Sequence, residues 1–145
     1  MIRTVLAAAV LAFGATALVA QNDPIAARKA LMKANGDQNK VATEMLEGKR
    51  PFDLAQAKKV FATFIEAGEK APALFPDNSK TGGDTAALPP IWENKADFNA
   101  RLAKLANDSK AAESGTKDVD SFKAQITEVR KNCGGCHQTY RKKTS

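Results

Sequence analysis

The sequence predicts an all-α chain, an antiparallel up-down four-helix bundle. Four segments of roughly 20 residues each repeat apolar residues at alternating steps of three and four, the spacing of one helical face. Glycine and proline mark the breaks between them, and no stretch shows the alternation of a half-buried strand. Amphipathic helices joined by mostly short connections bury their stripes best by packing antiparallel.

A leader precedes the bundle. Met1 to Ala20 carries one charge, Arg3, then an alanine-rich apolar run through Val19 that ends in small residues. This is the layout of a secretory signal peptide cut after Ala20, with Ala15-Thr16-Ala17 as a competing site. The run is too short and too diluted by alanine for a comfortable span, so no stable membrane insertion is expected. Residues 21–145 then form a single domain.

The first helix is expected from about Pro24 to Glu47, with Leu31, Ala34, Gln38, Val41 and Met45 on one stripe and Gly48 stopping it. The second carries Leu54, Ala57, Phe61, Phe64, Gly68 and Ala71; Asp53 caps its start and Pro72 ends it. From Pro72 to Pro90 the chain is rich in Pro, Gly, Asp and Ser, and long enough to cross one end of a bundle. Pro89-Pro90 sets the start of the third helix, whose stripe is Ile91, Lys95, Phe98, Leu102 and Leu105. Gly115 breaks the chain before the fourth, for which Thr116 and Asp118 are candidate N-caps. Its stripe is continuous through Val119, Phe122, Ile126, Val129, Cys133, Cys136 and Tyr140, with His137 at the edge.

That last stripe contains Cys133-Gly134-Gly135-Cys136-His137, the C-x-x-C-H signature of c-type haem attachment. On a helix, positions i, i+3 and i+4 share a face, so two thiols and an imidazole reach one flat macrocycle together. Two thioethers hold the porphyrin and the imidazole becomes an axial ligand of the iron. These are the only two cysteines and the only histidine of the chain. A structural zinc site needs four such ligands, and a thioredoxin-like pair needs a βαβ setting; the sequence offers neither. One haem c per chain, joined through Cys133 and Cys136, is therefore expected. Export by the leader suits it, since this class acquires its haem outside the cytoplasm, and the expected location is the periplasm.

A formal charge of +6, or +5 once Arg3 leaves, suits steering toward acidic partners. It does not suggest nucleic acid: the lysines are spread through the chain and only one Trp and one Tyr are present for stacking. Arg141-Lys142-Lys143 reads as a solvated end complementing the last helix dipole.

With one histidine, a bis-histidine haem within the chain is excluded. After the leader only Met32 and Met45 offer thioethers, about 20 Å apart along one helix, so both cannot face one iron. Met45 shares the Leu31/Val41 stripe and reads as core filling. Met32 sits one residue further round, beside Arg28 and Asn35, where a planar ligand can wedge between helices; core filling is open to it as well.

Several segments resemble the class II cytochromes c, the family of cytochromes c′ and the low-spin cytochrome c-556 type. Arg28-Lys29-Ala30-Leu31-Met32-Lys33 with Asn35-Gly36 is similar to the family's first-helix motif. Leu74-Phe75-Pro76 and Pro90-Ile91-Trp92 resemble its central landmarks, and Cys133 to His137 with Tyr140-Arg141 its close. The resemblance covers essentially the whole of residues 21–145 and implies a four-helix bundle with covalent haem. It implies that the Met32 position faces the distal side of the haem, bound to iron as methionine in low-spin members. In cytochromes c′ the site holds Leu, Phe, Tyr or an unbound Met beside five-coordinate iron. A basic residue near the proximal histidine, here Arg141, is a further feature of the family.

The expectation is thus a one-electron carrier, low-spin, with His137 and Met32 as axial ligands and unidentified redox proteins as partners. The alternative is a high-spin cytochrome c′ with five-coordinate iron that binds nitric oxide or other small gases. An enzymatic role such as peroxidase is not expected, because no second histidine handles protons. Arg28 is a poor acid-base group; its expected place is a haem propionate contact or a solvated charge. Exposed residues supply no clear apolar seam, so monomer and homodimer both stand.

Overall fold

A computed structural model of the chain describes residues 23–143. The expected leader, residues 1–20, with its two cleavage sites, lies outside the described residues. Asp23 starts helix α1 (Pro24–Leu46): its carboxylate accepts from the amides of Ile25 at 2.8 Å and Ala26 at 3.1 Å. Pro24, at the first helical position, has no donor to satisfy. The turn after α1 passes through Gly48 at φ +69°, a left-handed conformation that glycine takes without strain.

Helix α2 (Leu54–Lys70) is capped by Asp53, which accepts from the Gln56 amide at 2.6 Å. It runs into a 3₁₀ turn, Ala71–Leu74, that contains Pro72, and a second such turn, Asp77–Ser79, lies within the crossover. The expected third helix is divided. Helix α3 (Pro90–Glu93) is one turn long, and α4 (Lys95–Gly115) begins after a break at Asn94, with φ −128° and ψ 57°. The Asn94 side chain accepts from the Asp97 amide, so it starts a new helix in place of continuing the old one. Lys95, expected on the inner stripe, is therefore exposed, while Phe98, Leu102 and Leu105 are buried. Asp118 caps α5 (Val119–Tyr140) in a reciprocal capping box with Ser121. Thr116, the other candidate cap, instead donates to the Ala112 carbonyl at 2.8 Å.

The four long helices pack around the bundle in sequence order. Gln56 donates to Gln38 at 2.9 Å between α2 and α1, and Lys110 pairs with Glu69 at 2.6 Å between α4 and α2. Asn132 donates to Asp108 at 2.8 Å, joining α5 to α4. Arg130 closes the ring from α5 to α1 through Asn39 and Thr43. The all-α four-helix architecture is as the periodicity predicts.

Two clusters make the core. Met45, Val60, Phe61, Phe64, Phe122, Ile126 and Val129 fill one. Ala71, Phe75, Ile91, Phe98, Leu102 and Tyr140 form the other, around edge-on contacts of Phe98 with Phe75 and Tyr140. Each fully buried apolar side chain of this size contributes roughly 1.5–3 kcal/mol. Gly68 brings α2 against α4: a Cβ there would lie 2.6 Å from the Leu102 carbonyl oxygen and 2.8 Å from Ala106 Cβ.

The stripes are corrected at their edges. Leu54 and Val119 are exposed at the helix starts, and Ala34 of α1 faces solvent. The inward line of α1 runs Arg28, Leu31, Asn35, Gln38, Ala42, Met45, and so includes three polar side chains. A search for apolar spacing steps over such residues, because their burial depends on partners elsewhere in the chain.

Candidate functional site

The end of α5 carries the attachment segment. Cys133 and Cys136 are half-buried free thiols one helical turn apart, and His137 follows them at the exposed edge. A Cβ at Gly134 or Gly135 would meet nothing within 4 Å, so no side chain packs over either glycine on its Cβ side. Burial pushes both thiols above their ordinary pKa. Thiol exchange needs the thiolate, and this surrounding opposes it. His137 lies below its ordinary pKa, first through desolvation and then through the charge of Arg141. The neutral imidazole so favoured is the form that binds metal.

The facing wall is α1. Arg130 Nε donates to Asn39 Oδ1 at 2.7 Å, and Nη2 donates to the Asn39 carbonyl at 3.1 Å and Thr43 Oγ1 at 2.8 Å. Met32, Gly36, Asn39 and Thr43 step by four, three and four, so Met32 lies on the edge of α1 that meets α5. Met32 precedes Asn39 by seven residues and His137 follows Arg130 by seven. In antiparallel neighbours both displacements run the same way, about 10 Å from the Arg130 contact. Met32 and His137 thus stand at one level on facing edges. Met32 is 37% exposed, and a Cβ at Gly36 would meet nothing within 4 Å. Met45 lies on the other side of the Arg130 contact, 3% exposed, inside the first core cluster.

Leu31, Leu74, Trp92 and Cys136 remain partly buried against the second cluster. Crossover and C-terminus frame it: the Leu88 amide donates to the Tyr140 carbonyl at 3.0 Å and the Lys142 amide to the Ala86 carbonyl at 2.8 Å. The basic tail is thus tied through its backbone, while the side chains of Arg141, Lys142 and Lys143 are exposed.

Arg28, one turn before Met32, is 4% exposed, which removes the solvated-charge reading. Its Nη1 donates to the Leu74 carbonyl at 3.2 Å and Ser79 Oγ at 2.9 Å; its Nη2 donates to the Ser79 carbonyl at 2.9 Å and Thr85 Oγ1 at 2.7 Å. The guanidinium also lies 4.7 Å from the Phe75 ring centroid. No carboxylate pairs with it among the described residues. Burial accordingly lowers its pKa, against the pull of Asp23.

The donor set fits a covalent haem. Two free thiols and an imidazole share one face of α5, a thioether stands at the same level on α1, and the apolar side chains of Leu31, Leu74 and Trp92 are partly buried nearby. Asn35 Oδ1, on the inward line one turn from Met32, is buried without a partner. The Cytochrome C′ family profile matches residues 23–141. The chain belongs to the cytochrome c′ family. It is 47% identical to a cytochrome c′ of Rhodopseudomonas palustris over 95% of this chain and 94% of that protein. It is 34% identical to a cytochrome c-556 of the same organism over 99% of each. The solved cytochrome c′ from Rhodopseudomonas palustris superposes with a TM-score of 0.82 at 49% identity, covering 86% of this chain and 100% of that one. A structural model of oxidised cytochrome c556 from that bacterium gives 0.79 at 32% identity over 86% and 100%. Covalent haem c with its iron is the cofactor of cytochromes c′, and the two cysteines here are consistent with that attachment.

Sequence reading missed what α4 places against the attachment segment. Arg101 Nη1 donates to the Gly135 carbonyl at 3.0 Å, Arg101 Nε donates to Asp97 at 2.7 Å, and the Tyr140 hydroxyl donates to the same Asp97 carboxylate. The i, i+4 spacing of Asp97 and Arg101 is visible in the sequence, but reads there as an ordinary surface pair.

Proposed function

We propose that this cytochrome c′ family member is a periplasmic one-electron carrier whose haem iron is low-spin, with His137 proximal and Met32 distal. When bound, the haem supplies a one-electron couple, and a neutral thioether ligand favours its reduced state. Cys133 and Cys136 would hold the macrocycle against α5, and Leu31, Leu74 and Trp92 would supply apolar surface to it. Arg28, one turn from Met32, spends both Nη groups on Leu74, Ser79 and Thr85, so that its charge, with only Nε–H left to donate, is what it would offer a haem propionate. The reading rests chiefly on placement: Met32 shares the edge of α1 on which Arg130 of α5 contacts Asn39 and Thr43, whereas Met45 fills the core. With the distal position taken by a thioether and no second histidine in the chain, the site is built for electron transfer rather than for catalysis. Periplasmic placement rests on the leader in the sequence, and partners are redox proteins of unidentified kind, met by a monomer or homodimer.

The two relatives named above are a cytochrome c′ and a cytochrome c-556, and the gas-binding alternative is the one whose distal position is not ligated. An optical spectrum of the purified protein separates them. The wild type should be low-spin with the weak near-infrared sulfur-to-iron band. Met32→Ala should lose that band and begin to bind nitric oxide readily, while Met45→Leu, nearly volume-conserving, should keep it. A high-spin wild type hands the site to the gas-binding reading; loss of the band in Met45→Leu alone reverses the methionine assignment.

A further inference from the structure

We propose that Arg101 is a positioning residue of the haem-attachment segment, holding its geometry and placing a positive charge on the proximal side of the cofactor. This rests on the covalent-haem reading above. Consecutive Gly134 and Gly135 sit inside helix α5, where each glycine is about 0.8–1 kcal/mol less favourable than alanine. The two thiols and the imidazole must nevertheless share one face, so the stretch that needs definite helical geometry is the one with least intrinsic preference for it. Helix α4 braces it at three levels. Asp108 accepts from Asn132, the residue before Cys133; Arg101 donates to the carbonyl of Gly135, between the thiols; Asp97 accepts from Tyr140, three residues after His137.

Arg101 is the centre of the brace. Its planar fork reaches Asp97 through Nε and Gly135 through Nη1 in one conformation, and the guanidinium lies 5.4 Å from the Tyr140 ring centroid. A lysine offers the charge without the fork. An i, i+4 ion pair alone, half exposed as this one is, would be worth little. The bond to a main-chain carbonyl of the attachment segment is what distinguishes Arg101 from the other surface pairs, such as Lys33–Asp37 and Lys70–Glu66, which touch only each other.

Holoprotein carrying Arg101→Gln or Arg101→Lys tests this by midpoint potential and by hydrogen exchange of the amides of residues 133–140. Arg101→Gln removes the charge and should shift the reduction equilibrium toward the oxidised form, by up to about tenfold, which is 59 mV for one electron. Exchange across 133–140 should quicken in the same variant. Arg101→Lys should hold the potential near wild type while exchange still quickens. Unchanged potential and exchange in Arg101→Gln overturn the proposal. So does an equal fall in potential in both variants, which would mark a general loosening. Absence of covalent haem from the wild type would instead sink the haem reading itself.

Discussion

Arg28 shows at the scale of one residue how charge can be buried. Its guanidinium holds Leu74, Ser79 and Thr85, and so pins the crossover to the start of α1. Arg28→Met keeps much of the apolar stem but leaves these acceptors without their donor. The expected loss is about 2–3 kcal/mol, since hydrogen bonds to charged groups are worth more than neutral ones and a buried acceptor left unpaired adds its desolvation penalty. Chemical denaturation checks the loss, and hydrogen exchange should show it concentrated in residues 74–88. From sequence, Arg28 could be placed beside Met32 but not inside the protein, because its partners lie about 50 residues away in a loop without periodicity. Cys133, Cys136 and His137, by contrast, are legible at once: their spacing is local and their chemistry rare. Met32 is intermediate. Its helix is evident, yet which neighbour it faces follows only from the Arg130 contacts with Asn39 and Thr43.

Between elements, α2 and α4 approach closely at Gly68. Helix propensity alone says Gly68→Ala should stabilise α2 by about 0.8–1 kcal/mol. The added Cβ would meet the Leu102 carbonyl and Ala106, both backbone-bound groups that cannot swing aside. Overpacking of this kind costs roughly 1–3 kcal/mol, so the variant should be net destabilised, with a lower denaturation midpoint at an unchanged slope. A more stable Gly68→Ala would show that α2 and α4 part easily. Helix identities and the caps Asp53 and Asp118 are legible because each acts on an amide three residues ahead, and Asp23, which the structure adds for α1, works the same way. The split at Asn94 is not legible. Apolar positions continue in step on both sides of it, and only the side chain's bond to the Asp97 amide reveals where the helix restarts.

At the scale of the whole molecule, the two core clusters are unequal in what surrounds them. The first is closed on all sides by α1, α2, α4 and α5. Around the second, Leu31, Leu74, Trp92 and Cys136 stay partly exposed, and Met32 stands open beside them. A domain of this length buries only about two thirds of its unfolded surface, so a large apolar macrocycle against that rim adds a meaningful share of its stability. Chain expressed without the attachment machinery should therefore keep most of its helix by far-ultraviolet circular dichroism. Its side chains near Leu31, Leu74 and Trp92 should lose fixed packing, with a broad thermal transition and binding of a hydrophobic dye. The loosening should be graded along the bundle. Amides facing Phe61 and Phe122 should exchange slowly, and those of residues 28–36 and 133–140 quickly, because the Arg130 contact with α1 divides the closed end from the open one. Uniform protection in the haem-free chain would mean that α1 and α5 already meet along their whole length, leaving no opening for a macrocycle between Met32 and His137.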